Sequence, residues 1–385
     1  YQSFSAIAGN THFIDFDLLA QAGLLNTSDY ASVNFGEDPT KVDYECIFHT
    51  RRPILEIAVK NFLTKDAFRS DFQNFEKNNR TWLDDYAEFM AFKEHFGNKA
   101  LQKWEDKQLI ARQPKALEKY RAMLKEKIQY FKVTQYFFFQ QWKALKAYAN
   151  RKGIQIIGDM PIYVAADSVE VWTKPELFQL DAERNPRFVA GVPADQFSAT
   201  GQLWGNPLYD WEAHKKQHYA WWIHRIEESF KIYDVLRIDH FKGFSDYWQV
   251  DGKADIAKYG CWQPGPGYDL FKAIKAQLGD LPIIAEDLGN IDDKARKLLT
   301  DCNYPGMKIL QFGFEDVSGE SLDSPHYCIP HSIVYTGTHD NDVTQGWYNG
   351  LTPEQQQYIN SYTHRRHDES ICQAMIRQLF ATVSH

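Results

Sequence analysis

VLRIDHF, residues 235–241, decides how the rest of the chain reads. Four residues with three apolar side chains lead into Asp239. Short apolar runs are how buried parallel strands look in sequence. Three further stretches repeat the pattern: Ile154–Gly158 leads to Asp159, Ile283–Ala285 to Glu286, and Ile333–Thr338 to His339 and Asp340. In a barrel of parallel strands, active-site groups gather at the C-terminal strand ends. Four acids so placed predict a negatively charged pocket, better suited to sugars than to phosphates.

Around these runs the texture from residue 150 onward is strand, loop, helix. Gly153 reads as the end of one helix. Leu270, Phe271, Ile274 and Leu278 have helical spacing, closed by Gly279, and Met307–Phe312 reads as a further strand. The alternation predicts parallel β/α units. Upstream, His12–Phe16 reads as a strand followed by a short helix ending near Leu25. Helical spacing then dominates, as in Ile54, Leu55, Ala58, Val59 and Phe62, with Pro53 placed in a first helical turn. Trp82, Tyr86, Phe89 and Phe92 repeat it. The expected organisation is 1–30 as the start of a catalytic barrel, 31–150 as a helical insertion, and 151–385 as the remainder. Residues 190–211, AGVPADQFSATGQLWGNPLYDW, are expected to be a long aromatic loop acting as a lid.

Composition narrows the partners. The net charge is −8 and no basic block stands out, which argues against nucleic acid or an anionic membrane surface. Five scattered cysteines contain no C-x-x-C pair, so neither a zinc site nor a disulfide framework is expected, and the cytoplasm is the expected compartment. No apolar run reaches the length of a membrane span. A plain eight-stranded barrel takes about 250 residues, so 385 residues leave room for insertions. The 58 aromatic residues belong mostly to the core, with some available as flat platforms for sugar rings.

The chemistry follows from the spacing. Residues i and i+2 of a strand share a face, so Arg237 and Asp239 do, and a guanidinium favours the ionised carboxylate that a nucleophile requires. The alternative is a purely structural Arg–Asp pair. In IIAEDLGN, residues 283–290, Glu286 and Asp287 should point to opposite sides. A general acid needs a raised pKa, which burial or a neighbouring carboxylate can provide, and Glu286 is the better candidate because it is closer to the strand core. Asp287 suits a helix start or a sugar hydroxyl. In YTGTHDND, residues 335–342, His339 and Asp340 suit vicinal hydroxyls. The run lacks the ligand pattern of a calcium loop, so no metal or other cofactor is expected. Two carboxyls flanking a glycosidic bond are the usual machinery of glycoside chemistry.

Taken together, YQSFSAIAGN, GDMPIYVAADSVEVW, GVPADQFSATGQLWGNPLYDW, VLRIDHFKGF, IIAEDLGNI, YPGMKILQFGF and YTGTHDND closely resemble the 4-α-glucanotransferases, or amylomaltases, of glycoside hydrolase family 77. The resemblance implies an α/β fold, a TIM (β/α)8 barrel with a large helical insertion, with the first and last barrel strands outside this chain. It implies retaining transfer of α-1,4-glucan segments between maltooligosaccharides or starch-type glucans. By position, Asp239 matches the nucleophile, Glu286 the acid/base, and Asp340 the carboxylate that holds and distorts the sugar. Arg237, His240 and His339 match residues lining the same subsite, and Asp159 a sugar-contacting acid. Asp195, Phe197, Gln202 and Trp204 match the covering loop, and Tyr1 an aromatic near the glucan groove. The family's Thr after HDND is Val343 here. The competing readings are a glucan hydrolase of the same clan and a non-catalytic glucan-binding fragment.

Overall fold

A computed structural model describes residues 2–194, 198–289 and 291–384. The chain divides into two compact units. One comprises Tyr1–Ile156, Tyr163–Asp234 and Trp248–Cys261, and the other Ile157–Ile162, Val235–Tyr247 and Trp262–His385. The fold is α/β. Nine strands lie among the described residues: β1 (Ile157–Met160), β2 (Phe188–Val192), β3 (Gln202–Pro207), β4 (Val235–Ile238), β5 (Asp246–Asp251), β6 (Gly260–Pro264), β7 (Ile283–Ala285), β8 (Gly306–Ile309) and β9 (Ser332–Tyr335).

The first unit is built on helices. Tyr44–Leu63, Arg69–Asn78, Arg80–His95, Pro114–Met123 and Lys125–Arg151 bury the stripes that the sequence spacing marks. Ile54, Leu55, Ala58, Val59 and Phe62 are all buried, and the Phe62 ring meets Phe72, Tyr136 and Phe137 at centroid distances of 5.5, 5.4 and 5.3 Å. Pro53 is not in a first turn: it lies within the helix Tyr44–Leu63. The helix begins earlier than periodicity indicated, because Asp43 caps it by accepting from the Cys46 N–H at 2.9 Å.

The strand expected at His12–Phe16 is absent. A 3-10 turn spans Thr11–Phe13, capped by Asn10, and a helix spans Phe16–Gln21, capped by Asp15. Alternating burial misled the reading: Ile14 and Phe16 are buried while Phe13 is 70% exposed. The Asn10 and Asp15 side chains offer the backbone local partners that compete with a ladder. Helical glutamines take the neighbour's part. Gln135 exchanges two hydrogen bonds with the backbone of Gly9, at 2.8 and 2.9 Å. Gln141 does the same with Asp15, at 2.7 and 3.0 Å.

The stretch 190–211 is not a continuous loop. It holds the end of β2 and all of β3, an antiparallel pair within a sheet of order β3-β2-β5-β6. Glycines and prolines hid the strands from the sequence. Gly191 is needed there, because a Cβ on it would lie 2.4 Å from the Gln202 carbonyl oxygen of β3.

The second unit carries the parallel strands. β1, β4 and β7 form one parallel sheet in that order, with Asp159 opposite Arg237 and Ile238 opposite Ala285. β8 and β9 pair in parallel, and Ala285 N–H donates to the Pro305 carbonyl just before β8 at 3.0 Å. Leu236, Ile238 and Ala285 are fully buried, as the apolar runs require. Helices Tyr268–Leu278 and Asp293–Cys302 follow β4 and β7 in the chain. A second cluster, Leu310, Phe314, Val334, Tyr348, Ile359, Ile371 and Met375, secures the region around β9.

Candidate active site

The C-terminal ends of β1, β4, β7 and β9 bring the predicted acids together. Asp159 lies near the end of β1, directly across from Arg237 on β4, so their side chains share a sheet face. Arg237 Nη1 lies 2.6 Å from Asp159 Oδ1 and 3.1 Å from Asp239 Oδ1, and Nη2 lies 3.8 Å from Asp340 Oδ2. The His339 Nε2 is 3.5 Å from both Asp159 Oδ2 and Asp340 Oδ2. One buried guanidinium thus stands among three carboxylates. Asp340 and His339 remain more than half exposed, open to an incoming ligand.

Asp239 directly follows β4, its N–H donating to Met160 O at 3.0 Å. His240 then adopts a left-handed backbone, φ 48° and ψ 51°, uncommon for a residue with a side chain. That turn aims the His240 N–H at Glu286 Oε2, 2.8 Å away, while the Leu288 N–H reaches Oε1 at 2.8 Å. Both oxygens of Glu286 are therefore fixed from the backbone. Each retains a second lone pair, so the group can still carry a proton. Glu286 N–H donates to Ile238 O, and Phe241 N–H to Glu286 O, both at 3.0 Å, which locks the ends of β4 and β7 together.

The two carboxyls differ in environment. Burial pushes Glu286 up to about 7; the Leu288 and His240 N–H groups oppose this and the Asp239 charge adds to it. Burial also raises Asp239, to about 6; Arg237 opposes this, and Asp159 and Asp340 reinforce it. The guanidinium favours the ionised Asp239, in the direction expected from spacing, but burial outweighs it. His240 is held neutral, lowered to about 4 by burial and by Lys242. Between pH 6 and 7 the ordering favours an ionised Asp239 beside a protonated Glu286.

Asp287 is turned elsewhere. Its Oδ1 accepts from the Met307 N–H of β8 at 2.7 Å, and a Cβ at Gly306 would lie 2.5 Å from its other oxygen. Gln202 and Trp204 belong to β3 in the other unit, where Trp204 Nε1 donates to Gln202 Oε1 at 3.2 Å and the Trp204 ring lies 6.3 Å from that of Tyr163. Tyr1, Asp195 and Phe197 lie outside the described residues.

Sequence reasoning overlooked Gln311. Buried just after β8, it donates to Asp342 O at 3.1 Å and so holds the loop that presents His339 and Asp340. Gly337 packs on it, since a Cβ there would come within 2.8 Å of Nε2. A lone amide inside the apolar run MKILQF was the available signal. Tyr335 was also missed; burial raises its pKa and Arg237 opposes the rise. Among the described residues, His224, Glu227 and Glu228 come close enough together to hold a metal ion, but Glu228 already pairs with Lys231 at 2.5 Å.

Comparison with known proteins gives a consistent result. The family description matching residues 1–385 is 4-alpha-glucanotransferase. A 4-alpha-glucanotransferase of Streptococcus pneumoniae is 52% identical over 385 residues, covering all of this chain and 76% of the relative. That of Clostridium butyricum is 43% identical over 389 residues, covering all of this chain and 79% of the relative. Among solved structures, an amylomaltase from Streptococcus agalactiae in complex with acarbose superposes with a TM-score of 0.98 at 57% identity, over all of this chain and 77% of that one.

Proposed function

The chain belongs to the 4-alpha-glucanotransferase family and carries that enzyme activity, and from that premise we propose that it moves α-1,4-glucan segments between maltooligosaccharides by a retaining double displacement at a site on a TIM barrel, a (β/α)8 arrangement of parallel strands. The observation that carries the mechanism is the pairing of Asp239 and Glu286 at neighbouring strand ends. Adjacent strands lie about 4.8 Å apart, compatible with the roughly 5–5.5 Å between carboxyls in retaining enzymes. The parallel order of β1, β4 and β7, with β8 and β9 continuing beside them, supports the barrel.

Asp239 attacks the anomeric carbon as Glu286 gives its proton to the departing glycosidic oxygen. The C–O bond to the leaving glucan breaks and a bond to Asp239 forms. Glu286, now ionised, then takes the proton of an acceptor sugar hydroxyl, whose oxygen displaces Asp239. No cofactor takes part. Asp340, His339 and Asp159 hold hydroxyls of the reacting sugar, and Arg237 steadies the three carboxylates around it. The binding of acarbose by the Streptococcus agalactiae relative supports a glucan as ligand.

Incubation with maltotriose tests this. A ladder of longer maltooligosaccharides with free glucose and no net gain in reducing ends is expected. A steady rise in reducing ends without longer products would contradict transfer. Asp239→Ala should abolish turnover and leave glucan binding largely intact.

A further inference from the structure

Lys242 lies three residues beyond Asp239, in the turn Phe241–Phe244 that follows β4. Its side chain is only 12% exposed. A charge so far out of water requires compensation. Asp292 Oδ2 stands 2.7 Å from the ammonium and Asp246 Oδ1 3.1 Å, and the Trp262 ring lies 4.7 Å away. Asp292 is also the N-cap of the helix Asp293–Cys302, its Oδ1 accepting from the Ala295 N–H at 2.9 Å. One ammonium therefore joins the turn after Asp239 to the start of the helix that follows Glu286.

The connection leads back to the reacting groups. His240 stands between Asp239 and Lys242, and its N–H is what grips Glu286 Oε2. The turn that orients this N–H is closed by Gly243 N–H to His240 O at 2.9 Å and Ser245 N–H to Lys242 O at 2.8 Å. A left-handed residue with a side chain persists only where its surroundings hold it. The Lys242 clamp is such a hold.

We propose that Lys242 is a positioning residue for glycosyl transfer, its grip on Asp292 and Asp246 keeping the His240 N–H aimed at the Glu286 carboxyl. The proposal rests on the reading of Glu286 as acid/base. An N–H donor favours the ionised carboxylate. Loosening the turn therefore raises the pKa of Glu286 and moves the alkaline limb of the rate profile upward.

The test compares Lys242→Met, Lys242→Arg and Asp292→Asn in the full chain, with maltotriose as substrate and circular dichroism as the check of folding. Asn is itself a good N-cap, so Asp292→Asn removes the charge and leaves the helix start. The expected result for Lys242→Met is a kcat on the order of tenfold lower, KM within about twofold, and an alkaline limb about half a pH unit higher. Asp292→Asn should shift the limb in the same direction, and Lys242→Arg should restore most of the rate. If Lys242→Met does not fold, Asp292→Asn decides. An unmoved alkaline limb in the folded variants overturns the proposal. Glu286→Gln separates the two failures: turnover retained there defeats the reading of Glu286 itself, whereas turnover lost there with an unmoved limb in the Lys242 series defeats the clamp alone.

Discussion

Asp239 and Glu286 show what one residue's surroundings add to its identity. Both are carboxylic acids at strand ends, and both are raised by burial, to about 6 and about 7. The proposed mechanism needs Asp239 ionised and Glu286 protonated, so it predicts a bell-shaped rate profile. It falls below about pH 6 as Asp239 takes up a proton and above about pH 7 as Glu286 loses one. Arg237 lowers the pKa of Asp239, so Arg237→Leu should move the acid limb upward, measurable as kcat/KM against pH. An unmoved acid limb would remove Asp239 as the group behind it. The positions of both acids were legible, because each follows an apolar run. Their proton affinities were not, since these depend first on burial, and for Asp239 also on Asp159 and Asp340, which reach the site from strands distant in sequence. Asp287 was equally opaque: only the pairing with Met307 shows that its carboxyl serves the backbone of β8.

At the scale of elements, the sequence served best where burial is complete. β4 and β7 match their apolar runs residue for residue. It served worst where side chains replace ladder partners, as Gln135 and Gln141 do for residues 9 and 15. The β2–β3 hairpin was hidden for another reason, the glycines that its close backbone approach demands. Gly191→Ala should therefore destabilise the protein by about 1–3 kcal/mol, seen as a lower denaturant midpoint with an unchanged slope. A midpoint equal to that of the parent would show that the hairpin relaxes freely. The lid expected from the sequence would exclude water from the intermediate, so replacing Phe197 and Trp204 by Ala should lower the ratio of transfer to hydrolysis. An unchanged ratio for maltotriose would end that idea.

For the whole molecule, acid stability and the catalytic account each make a demand. His214 is fully buried beside Tyr209, Trp211 and Trp221, and burial lowers its pKa to about 4. A lowered folded pKa means that the unfolded chain binds the proton more readily. The stability it contributes is present above the unfolded value of about 6.5 and is lost as the pH falls toward 4. His214→Phe should flatten the loss of Tm across that range; an equally steep loss would place the acid sensitivity elsewhere. Asp239 and Glu286 act in the opposite sense, their raised values withdrawing stability as the pH rises through 6 and 7. The α/β class and the strand-end positions of the acids could be read from the chain, because parallel strands and their terminal carboxylates leave a local trace. The division into two interleaved units could not, because it depends on contacts between segments far apart in sequence. The central claim is that glycosyl transfer passes through a covalent bond to Asp239. Glu286→Gln exposed to an α-maltotriosyl fluoride, whose leaving group needs no acid, tests it most directly by peptide mass spectrometry. The account predicts a maltotriosyl adduct on the peptide containing Asp239; an adduct on another residue, or fluoride release with no adduct at any time, would contradict it.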